Sequence, residues 1–387
     1  MSLHPADKLA FDRAMVAQPV WNRFDTGAAA LGLPQNVLLH AGPAFSSPDQ
    51  ITRPILNSAC VAAVYEGIAR DFDEAEGMIV AKEIELKPAQ DHDVVTPLAA
   101  VVSASMPLHV VYDAWGGSIR AFAPINGGAR PALRLGLRSE TVLSHVRWLN
   151  TVVLDALQSG LAEGIALVPL AVTGLMGGDD CHGRTPVAGA ALVDELVDRS
   201  GGHNIDAEVL TFLRESPSLF LNLWMAATKC MMLAAAGIEN ASFVTAAGGN
   251  GRDIGLQISG LPGQWFTVLA DAPKGAFDVD VPVDRALGAI GDSAVVDAFG
   301  LGAMSQTPAA DHEAYLRSGA LSVGSHPYFR ALDLRLGSSA RRAVALAAGP
   351  IISLGIIDRL GEAGRLGGGL YDMPVKPFAD ALAVLEA

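Results

Sequence analysis

The stretch Leu219–Gly237, LFLNLWMAATKCMMLAAAG, decides what kind of fold this chain can adopt. Its length is close to the ~20 residues that a helix needs to cross a bilayer. Asn222 and Lys229 interrupt the apolar run, however, and a lysine near the middle of a membrane helix is energetically costly. The sequence therefore predicts a helix over residues 218–236 that is buried inside a globular protein and ends at Gly237.

The segments that follow this helix have the character of strands. Three apolar runs, SFVTAA (242–247), IGLQIS (254–259) and QWFTVLA (264–270), are separated by glycine turns. Residues 293–299 and 339–346 are again helical in pattern. The part of the chain after residue 237 is therefore predicted to mix strands and helices.

The segments before the central helix are mainly helical. Ser139 to Leu161 is predicted as one long helix with Ser139 as its N-cap. Thr185-Pro186 and Ser216-Pro217 each place a hydroxyl before a proline, which is a strong helix start. Helices are therefore predicted to dominate residues 138–237.

The N-terminal part is richer in strands. Residues 36–39 form a short apolar run before His40-Ala-Gly-Pro43, and residues 94–103 and 108–112 are also β-rich. Gly116-Gly117 has the position of a hairpin turn. The predicted fold class is α+β, a mixed α/β chain with several domains: an N-terminal α/β domain (1–137), a mainly helical domain (138–237) and a C-terminal α/β domain (238–387).

Composition excludes several classes of protein. The chain has 387 residues, of which half are hydrophobic and 18% are charged, and its formal net charge is −14. This acidic balance argues against non-specific binding of nucleic acid or of anionic membranes. Three cysteines make a poor disulfide framework, and the N-terminus lacks the apolar segment of a signal peptide. We therefore expect a cytoplasmic protein that binds neither membrane nor nucleic acid.

Reactive side chains are most concentrated in Gly177-Gly-Asp-Asp-Cys-His-Gly-Arg-Thr-Pro186, just before a predicted helix. A helix N-terminus presents unpaired N–H groups and a partial positive charge, which favour a bound anion. Arg184 would clamp that anion, and Thr185 lies beside it. The same field would lower the pKa of Cys181 and help to keep His182 neutral.

A purely structural explanation of this loop is also available. Asp179 and Asp180 would pair with Arg184, and the whole segment would serve as a polar cap for the helix. A cap needs only one aspartate or threonine, however, and this loop contains five reactive residue types. We therefore interpret the loop as part of a functional site.

Other candidate residues lie at predicted strand ends and on the central helix. His40 follows a strand, where open α/β sheets often place ligands, although a structural role is common for such a histidine. Asn222 and Lys229 share one face of the central helix, where the lysine must reach water, find a carboxylate or stay neutral. Each of these makes it a candidate to contact an anionic ligand.

Two further turns contribute candidates. Gly248-Gly-Asn-Gly-Arg-Asp253 allows a ligand to approach the backbone, with Asn250 and Arg252 available to contact an anion. Asp292 and Ser293 precede a predicted helix, where Asp292 would either cap the helix or orient a catalytic group.

Several common site signatures are absent from the sequence. It contains no CxxC or HExxH zinc motif, no GxSxG nucleophile elbow and no GxxxxGK[ST] phosphate loop. The local density of aspartate and histidine is the only support for a divalent ion. We therefore expect neither a metal nor a cofactor.

Motifs along nearly the whole chain resemble those of one protein family, called YlbE-like or AllG. They occur in the order of the family: LLHAGP (38–43), NGGARPALRLG (126–136), GDDCHGRT (178–185), FLNLWMAATK (220–229), NGRDIGLQISG (250–260) with WFT (265–267), and IGDSAVVDAFGLG (290–302). The family's GDExHNRN motif falls on residues 178–185, where Asp180 replaces the glutamate.

The resemblance implies a subunit of an oxamate carbamoyltransferase that works beside an FdrA-type subunit in allantoin catabolism. Such a complex exchanges a carbamoyl group between small anions such as oxalurate, oxamate, phosphate and carbamoyl phosphate. The resemblance therefore implies a small anionic substrate and a homo- or hetero-oligomer.

This chemistry suggests roles for the candidate residues. Transfer to an amide nitrogen needs a base and stabilisation of a developing oxyanion. We expect His182 to be the acid/base, oriented by Asp179 or Asp180, and His40 to polarise the carbonyl. Cationic side chains would hold the anionic groups, namely Arg184, Lys229 and Arg252.

Two alternatives remain open. The chain would be a non-catalytic subunit if it binds an FdrA-type partner and only shapes a shared active site. It would be a hydrolase or acyl-transfer enzyme if Cys181 and His182 act together, although neighbouring residues rarely form the necessary hydrogen bond.

Overall fold

The structure, a computed structural model, describes residues 4–128, 131–161, 163–201, 205–216, 218–305 and 339–387. Pro217 of the predicted Ser216-Pro217 start and Ala129-Arg130 of the 126–136 motif lie outside the described residues. Helices and several sheets alternate along the chain, so the predicted α+β class is confirmed.

Thirteen α-helices are found among the described residues, and we number them in chain order. They are α1 Pro5–Val16, α2 Gly27–Leu31, α3 Arg53–Tyr65, α4 Phe72–Val80, α5 Glu140–Trp148, α6 Leu154–Gln158, α7 Leu167–Met176, α8 Pro186–Arg199, α9 Ala207–Arg214, α10 Ser218–Ala234, α11 Ala294–Phe299, α12 Ala340–Leu346 and α13 Lys376–Leu385.

The strands form four small sheets. They are β1 Pro19–Thr26, β2 Val37–His40, β3 Glu85–Pro88, β4 Val101–Val102, β5 Pro107–Asp113, β6 Arg120–Pro124, β7 Ile165–Ala166, β8 Val244–Asn250, β9 Asp253–Ile258, β10 Leu261–Leu269, β11 Lys274–Phe277, β12 Ile290–Gly291, β13 Ile351–Ile357 and β14 Arg365–Asp372.

Among the described strands, pairing is antiparallel with one exception. The strand orders are β6-β5-β1-β7, β10-β9-β8-β12, β11-β14-β13 and β3-β2-β4, and of these described strands only β2 and β3 pair in parallel. The hairpin predicted at Gly116-Gly117 joins β5 to β6. Antiparallel strands need only short turns, which agrees with the glycine-rich connections of the sequence.

Helix α10 lies between two sheets and is buried on nearly every side. It contacts β5 and β6 of the first sheet and β8 of the second. The Asn222 amide donates to the Pro124 carbonyl on β6, and Lys229 Nζ donates to the Thr245 carbonyl on β8 at 3.0 Å. These bonds give each buried side chain an acceptor for one of its donors, which would otherwise be costly to bury. Within the described ranges, no helix combines the length and the apolar character that a bilayer span requires.

The predicted helix from Ser139 to Leu161 is interrupted. Ser139 caps α5 as predicted, because its Oγ accepts from the Val142 amide at 3.3 Å. A π turn over Leu149–Val153 then separates α5 from α6. The Thr151 hydroxyl donates to the Arg147 carbonyl at 2.7 Å, a bond that competes with the helical backbone pattern and accompanies this irregularity.

One large apolar core connects the three predicted segments. It contains Trp21 from the first, Trp224 from the second, and Phe299 and Phe378 from the third. The division into domains stays a prediction. The shared core does mean that residues distant in sequence are brought together, and the candidate site depends on this.

Candidate functional site

A cavity of about 360 Å³ lies beside β13 and β14. Residues from six separate stretches of the chain line it, so the cavity lies where distant segments meet. They are Pro97, Leu98, Asn126, Arg134, His182, Gly183, Ser218, Leu221, Ser293, Ser353, Leu354, Gly355, Arg365, Gly368 and Gly369.

His182 is one of the residues that line this cavity. Its Nδ1 is hydrogen-bonded to Oδ2 of Asp297, which is completely buried in α11. The other carboxylate oxygen of Asp297 accepts from the Ala303 amide at 2.8 Å and from the Ser353 amide at 3.3 Å. Because Nδ1 is occupied, Nε2 is the nitrogen that remains for a ligand. This arrangement is that of a histidine acid/base oriented by a carboxylate.

The loop that carries His182 is fixed by its two aspartates. Asp179 accepts from the Ala188 amide at 2.8 Å and from the Val187 amide at 3.3 Å, so it caps α8. Asp180 Oδ1 accepts from the backbone amides of His182 and Arg184, at 2.7 and 2.9 Å. Both aspartates therefore shape the loop rather than orient the imidazole.

Two residues next to this loop and cavity adopt left-handed backbone conformations that are unusual for side-chain-bearing residues. Cys181 has φ +65° and Leu98 has φ +48°. Such conformations cost free energy and are frequent at functional sites, where the surroundings enforce them. The strain agrees with a loop that is built to place His182.

Arg134 supplies the positive charge of the cavity wall. Its Nη1 donates to Asn126 Oδ1 at 2.9 Å and to the Gly127 carbonyl at 3.0 Å, and its Nη2 donates to the Gly128 carbonyl. A guanidinium has five N–H donors, so Nε–H and one Nη2–H remain. No carboxylate of a described residue lies within 4.0 Å of it. Burial, and secondarily the charge of Arg365, lowers the pKa of Arg134 to about 10.

Arg365 lies at the mouth of the cavity. It forms an ion pair with Asp278 and is half-exposed. Its side chain passes beside two glycines: a Cβ at Gly368 would lie 3.2 Å from Nη2, and one at Gly355 would lie 4.0 Å from Nε. Two arginines thus face one cavity in a chain of net charge −14. A small anion is the ligand that this arrangement would stabilise.

The carboxylate that pairs with His182 and the direction of its pKa shift both differ from the prediction. We expected Asp179 or Asp180 to orient it, but its partner is Asp297. We also expected a helix N-terminus to keep it neutral. Burial does lower its pKa, but the charge and hydrogen bond of Asp297 outweigh burial, so the pKa of His182 is raised.

The predicted reactivity of Cys181 is also wrong. Its side chain is completely buried, and Sγ donates to the Ala171 carbonyl at 3.6 Å. Burial, followed by the charges of Asp180 and Asp179, raises the pKa of the thiol well above its ordinary range. A thiol in this state is not a nucleophile, which removes the basis for a Cys181–His182 enzyme.

We therefore expect Cys181 to resist alkylation in the folded protein. All three cysteines are buried, so iodoacetamide should label the native chain much more slowly than the chain in denaturant. The measurement is intact-mass spectrometry over time, with Cys181→Ala as the control. Rapid addition of one label per native chain, absent in the control, would contradict the assignment.

His40 and Asp292 do not line the cavity. His40 is completely buried, its Nδ1 lies 2.8 Å from the Ala41 carbonyl oxygen, and burial lowers its pKa to about 4. Asp292 accepts from Gly42, Gln90 and Thr96 at 2.7–3.0 Å, and burial raises its pKa to about 6. Asp292 thus connects distant segments and does not cap α11.

The candidates on α10 also lie away from the cavity lining. Asn222 and Lys229 are buried and bonded to backbone carbonyls of neighbouring strands. Burial lowers the pKa of Lys229, although Asp93, Asp292 and Asp91 oppose this effect. These contacts give both residues a structural role between two sheets.

The turn between β8 and β9 is likewise remote from the cavity lining. Asn250 Oδ1 accepts from the amides of Arg252 and Asp253, and its Nδ2 donates to the Pro43 carbonyl at 2.8 Å. The Arg252 Nε lies 3.5 Å from the Asp253 carboxylate. This side chain is therefore already paired with an acidic neighbour.

The remaining candidates lie near helix starts. Thr185 occupies the N-cap position of α8, but its side chain does not cap the helix, a role taken by Asp179. Arg184 follows His182 in the loop without being among the lining residues. Ser293 lies on the cavity, so His182 and Ser293 are the two sequence-predicted residues that line it.

Sequence reasoning missed four residues of the site: Arg134, Asp297, Ser353 and Arg365. Two of them lie within motifs that carry the family resemblance: Arg134 is in NGGARPALRLG and Asp297 is in IGDSAVVDAFGLG. Their spacing within these motifs does not distinguish a functional side chain from an ordinary helix or turn residue. Ser353 and Arg365 lie outside every motif, and the sequence offered no signal for them.

A metal site receives no support from the described part of the chain. It contains no group of three or more histidine, cysteine, aspartate or glutamate side chains that could hold a metal ion. Within that part, the polar groups of the cavity are arginine, histidine, serine and asparagine, a set suited to an anion rather than a cation.

Comparison with known proteins relates this chain to one family. Residues 84–293 match the model of a family described as "Oxamate carbamoyltransferase subunit AllG". The chain is 31% identical over 373 residues to the protein of that name from Escherichia coli (strain K12), covering 90% of this chain and 88% of the relative. It is 33% identical over 314 residues to the uncharacterized protein YahG of the same organism, covering 79% of this chain and 66% of the relative.

A solved structure has the same fold. It is the crystal structure of a conserved protein of unknown function from Enterococcus faecalis V583, with a TM-score of 0.86 and 26% identity. The similarity covers 98% of this chain and 97% of the other. The fold described above therefore extends to a distantly related sequence.

Proposed function

Because this chain belongs to the AllG family, we propose that it is a subunit of a carbamoyltransferase acting on small anionic amides. The proposed substrates are of the oxamate and oxalurate type, with carbamoyl phosphate as the carbamoyl donor or product. The relative's name supports the assignment to a subunit. The same name supplies oxamate as the proposed substrate, and the cavity of this chain supports a small anion.

The observation that carries the proposal is the unpaired charge of Arg134. A partly buried guanidinium is costly unless an anion accompanies it, and no carboxylate of a described residue does so. Its two remaining donors, Nε–H and Nη2–H, can hold a carboxylate or phosphate. A substrate anion would therefore complete the charge balance of the cavity.

His182 would supply the acid/base function. In the proposed transfer, the amide nitrogen of oxamate attacks the carbamoyl carbon of carbamoyl phosphate and the C–O bond to phosphate breaks. His182 Nε2 accepts the proton that the nitrogen loses. Asp297 holds the ring through Nδ1 and stabilises its protonated form. The predicted acid/base role of His182 is thus retained, with Asp297 in place of the loop aspartates.

The proposed anion contacts differ from those expected from sequence. Arg134 and Arg365 face the cavity, whereas Lys229 and Arg252 contact other parts of the fold. We propose that the two cavity arginines hold the anionic groups of the substrates. Ser293 remains a proposed contact at the same cavity.

A specific observation favours a second function, that of a partner-binding subunit. An apolar groove of about 520 Å³ is lined by residues of α1, β1, β7 and α7, with Trp115 beside them. Trp115 is 72% exposed and Val16 is 52% exposed. Exposed apolar surfaces of this kind often mark protein interfaces. An FdrA-type subunit is the proposed partner, and the chain would then shape a shared active site.

The release of inorganic phosphate from carbamoyl phosphate tests the proposal. We expect release to depend on oxamate, because the amide nitrogen is the carbamoyl acceptor. The assay is performed with this chain alone and with an added FdrA-type protein. Oxamate-dependent release by the chain alone would identify it as the catalyst, and release only with the partner would favour the second function.

One result would contradict both functions. If phosphate release remains at the uncatalysed rate under all conditions, the chain does not take part in this reaction. Spontaneous hydrolysis of carbamoyl phosphate in buffer provides the baseline. His182→Gln provides the matched control, since it would remove catalysis by this site and leave any contaminating activity unchanged.

A further inference from the structure

Ser353 on β13 has a buried hydroxyl without a hydrogen-bond partner. Its Oγ makes no hydrogen bond to any described residue, although the residue is only 5% exposed and lines the cavity. Burying a hydroxyl without a partner is destabilising. A bound ligand that pairs with it would remove this cost.

The position of Ser353 is fixed relative to His182 by a shared partner. Asp297 Oδ1 accepts from the Ser353 amide, while Asp297 Oδ2 is bonded to His182 Nδ1. Ser353 Oγ also lies beside Gly183, because a Cβ added there would be 3.4 Å from it. The hydroxyl therefore lies at the same end of the cavity as the imidazole.

The arginine end of the cavity lies further along the same strand face. Ser353 and Gly355 are two residues apart on β13, so both face one side of the sheet. The rise of a strand separates them by about 7 Å. Arg365 reaches over Gly355, as the 4.0 Å approach of its Nε to a Cβ at that position shows. The cavity thus has a cationic end and a hydroxyl–imidazole end.

We infer that Ser353 is a substrate-contact residue that selects acids carrying an amide or keto oxygen. Its hydroxyl donates a hydrogen bond to that oxygen, while Arg134 and Arg365 bind the anionic group. This inference rests on the proposed anion site and adds a specificity residue to it. A simple anion with no amide or keto oxygen beside its anionic group, such as inorganic phosphate, would bind to the arginines without using Ser353.

The substitution Ser353→Ala tests this role with little structural disturbance. The lost hydroxyl has no protein partner, so the variant should unfold at the same or a higher denaturant concentration than the parent. Ser103→Ala is the matched control, because Ser103 is also buried with an unpartnered Oγ and does not line the cavity.

Titration calorimetry on the full chain measures the binding of oxamate and of inorganic phosphate. We expect Ser353→Ala to weaken oxamate binding about tenfold, the loss of one hydrogen bond, and to leave phosphate binding unchanged. Ser103→Ala should change neither. Ser353→Cys keeps a donor at this position, although the thiol is larger and donates a weaker hydrogen bond, so its oxamate affinity should lie between those of the parent and the alanine variant.

The outcomes separate this inference from the proposed function. Unchanged oxamate affinity in Ser353→Ala, or an equal loss for oxamate and phosphate, would overturn the role of Ser353 while leaving the anion site in place. If the parent protein binds neither oxamate nor phosphate, the proposed function itself is overturned, and the inference with it.

Discussion

Replacing Arg134 with glutamine is expected to weaken oxamate binding roughly 10- to 100-fold, since hydrogen bonds to charged groups contribute about 1.5–3 kcal/mol and tenfold corresponds to 1.4 kcal/mol. The physical reason is that this guanidinium brings a positive charge and two unused donors to the cavity. Arg134→Lys keeps the charge but loses the planar fork, so its affinity for oxamate should lie between those of the parent and Arg134→Gln.

Arg252 offers a control of the same residue type. Its side chain lies at the β8–β9 turn beside Asp253, so Arg252→Gln should leave oxamate affinity unchanged. Thermal unfolding of each variant separates binding from stability, because Arg134 also satisfies acceptors on Asn126, Gly127 and Gly128. An equal loss of affinity in both glutamine variants would show that the anion does not bind in this cavity.

Replacing His182 with glutamine is expected to lower oxamate-dependent phosphate release roughly 10²- to 10⁴-fold, the usual contribution of a general acid/base. Oxamate affinity should change far less than turnover, because the arginines bind the anionic group. The measurement is steady-state phosphate release as a function of oxamate concentration. A turnover near that of the parent would exclude His182 as the acid/base.

Asp297→Asn provides a pH readout for the same dyad. In the parent, the carboxylate of Asp297 overcomes the effect of burial and holds the pKa of His182 above its ordinary value of 6.5. A base acts in its neutral form, so activity should rise with pH through a midpoint above 6.5. In Asp297→Asn the negative charge is lost while the His182 imidazole stays buried, so the midpoint of the pH profile should move to lower pH.

The direction of this shift is the decisive feature. A structural role for Asp297 would reduce activity at every pH and leave the midpoint unchanged. A midpoint that stays in place or moves upward in Asp297→Asn would contradict the proposed electrostatic role of the carboxylate. Asp179→Asn is the control, because Asp179 caps α8 and does not contact the imidazole.

Much of the local structure could be predicted from the sequence. The apolar run with a single lysine was sufficient to predict a buried helix, and α10 spans Ser218–Ala234. Ser139 was recognised as an N-cap because capping depends on residues only three positions away. The composition of residues 177–186 predicted that this loop is part of a functional site, and His182 of this loop lines the cavity.

Tertiary structure alone decided which groups share an environment. Asp297 is 115 residues from His182, and Ser353 and Arg365 follow later in the chain. Spacing along a sequence reports neighbours within one helix or strand, so it cannot reveal contacts of this kind. Burial raises the pKa of Cys181, and Asp297 raises the pKa of His182. Neither the burial nor Asp297 can be read from the sequence of the loop. The sequence therefore determined the local elements and the residues available for chemistry. The packing of distant segments determined which of those residues face the cavity, because pKa and hydrogen bonding depend on atoms that meet only in the folded chain.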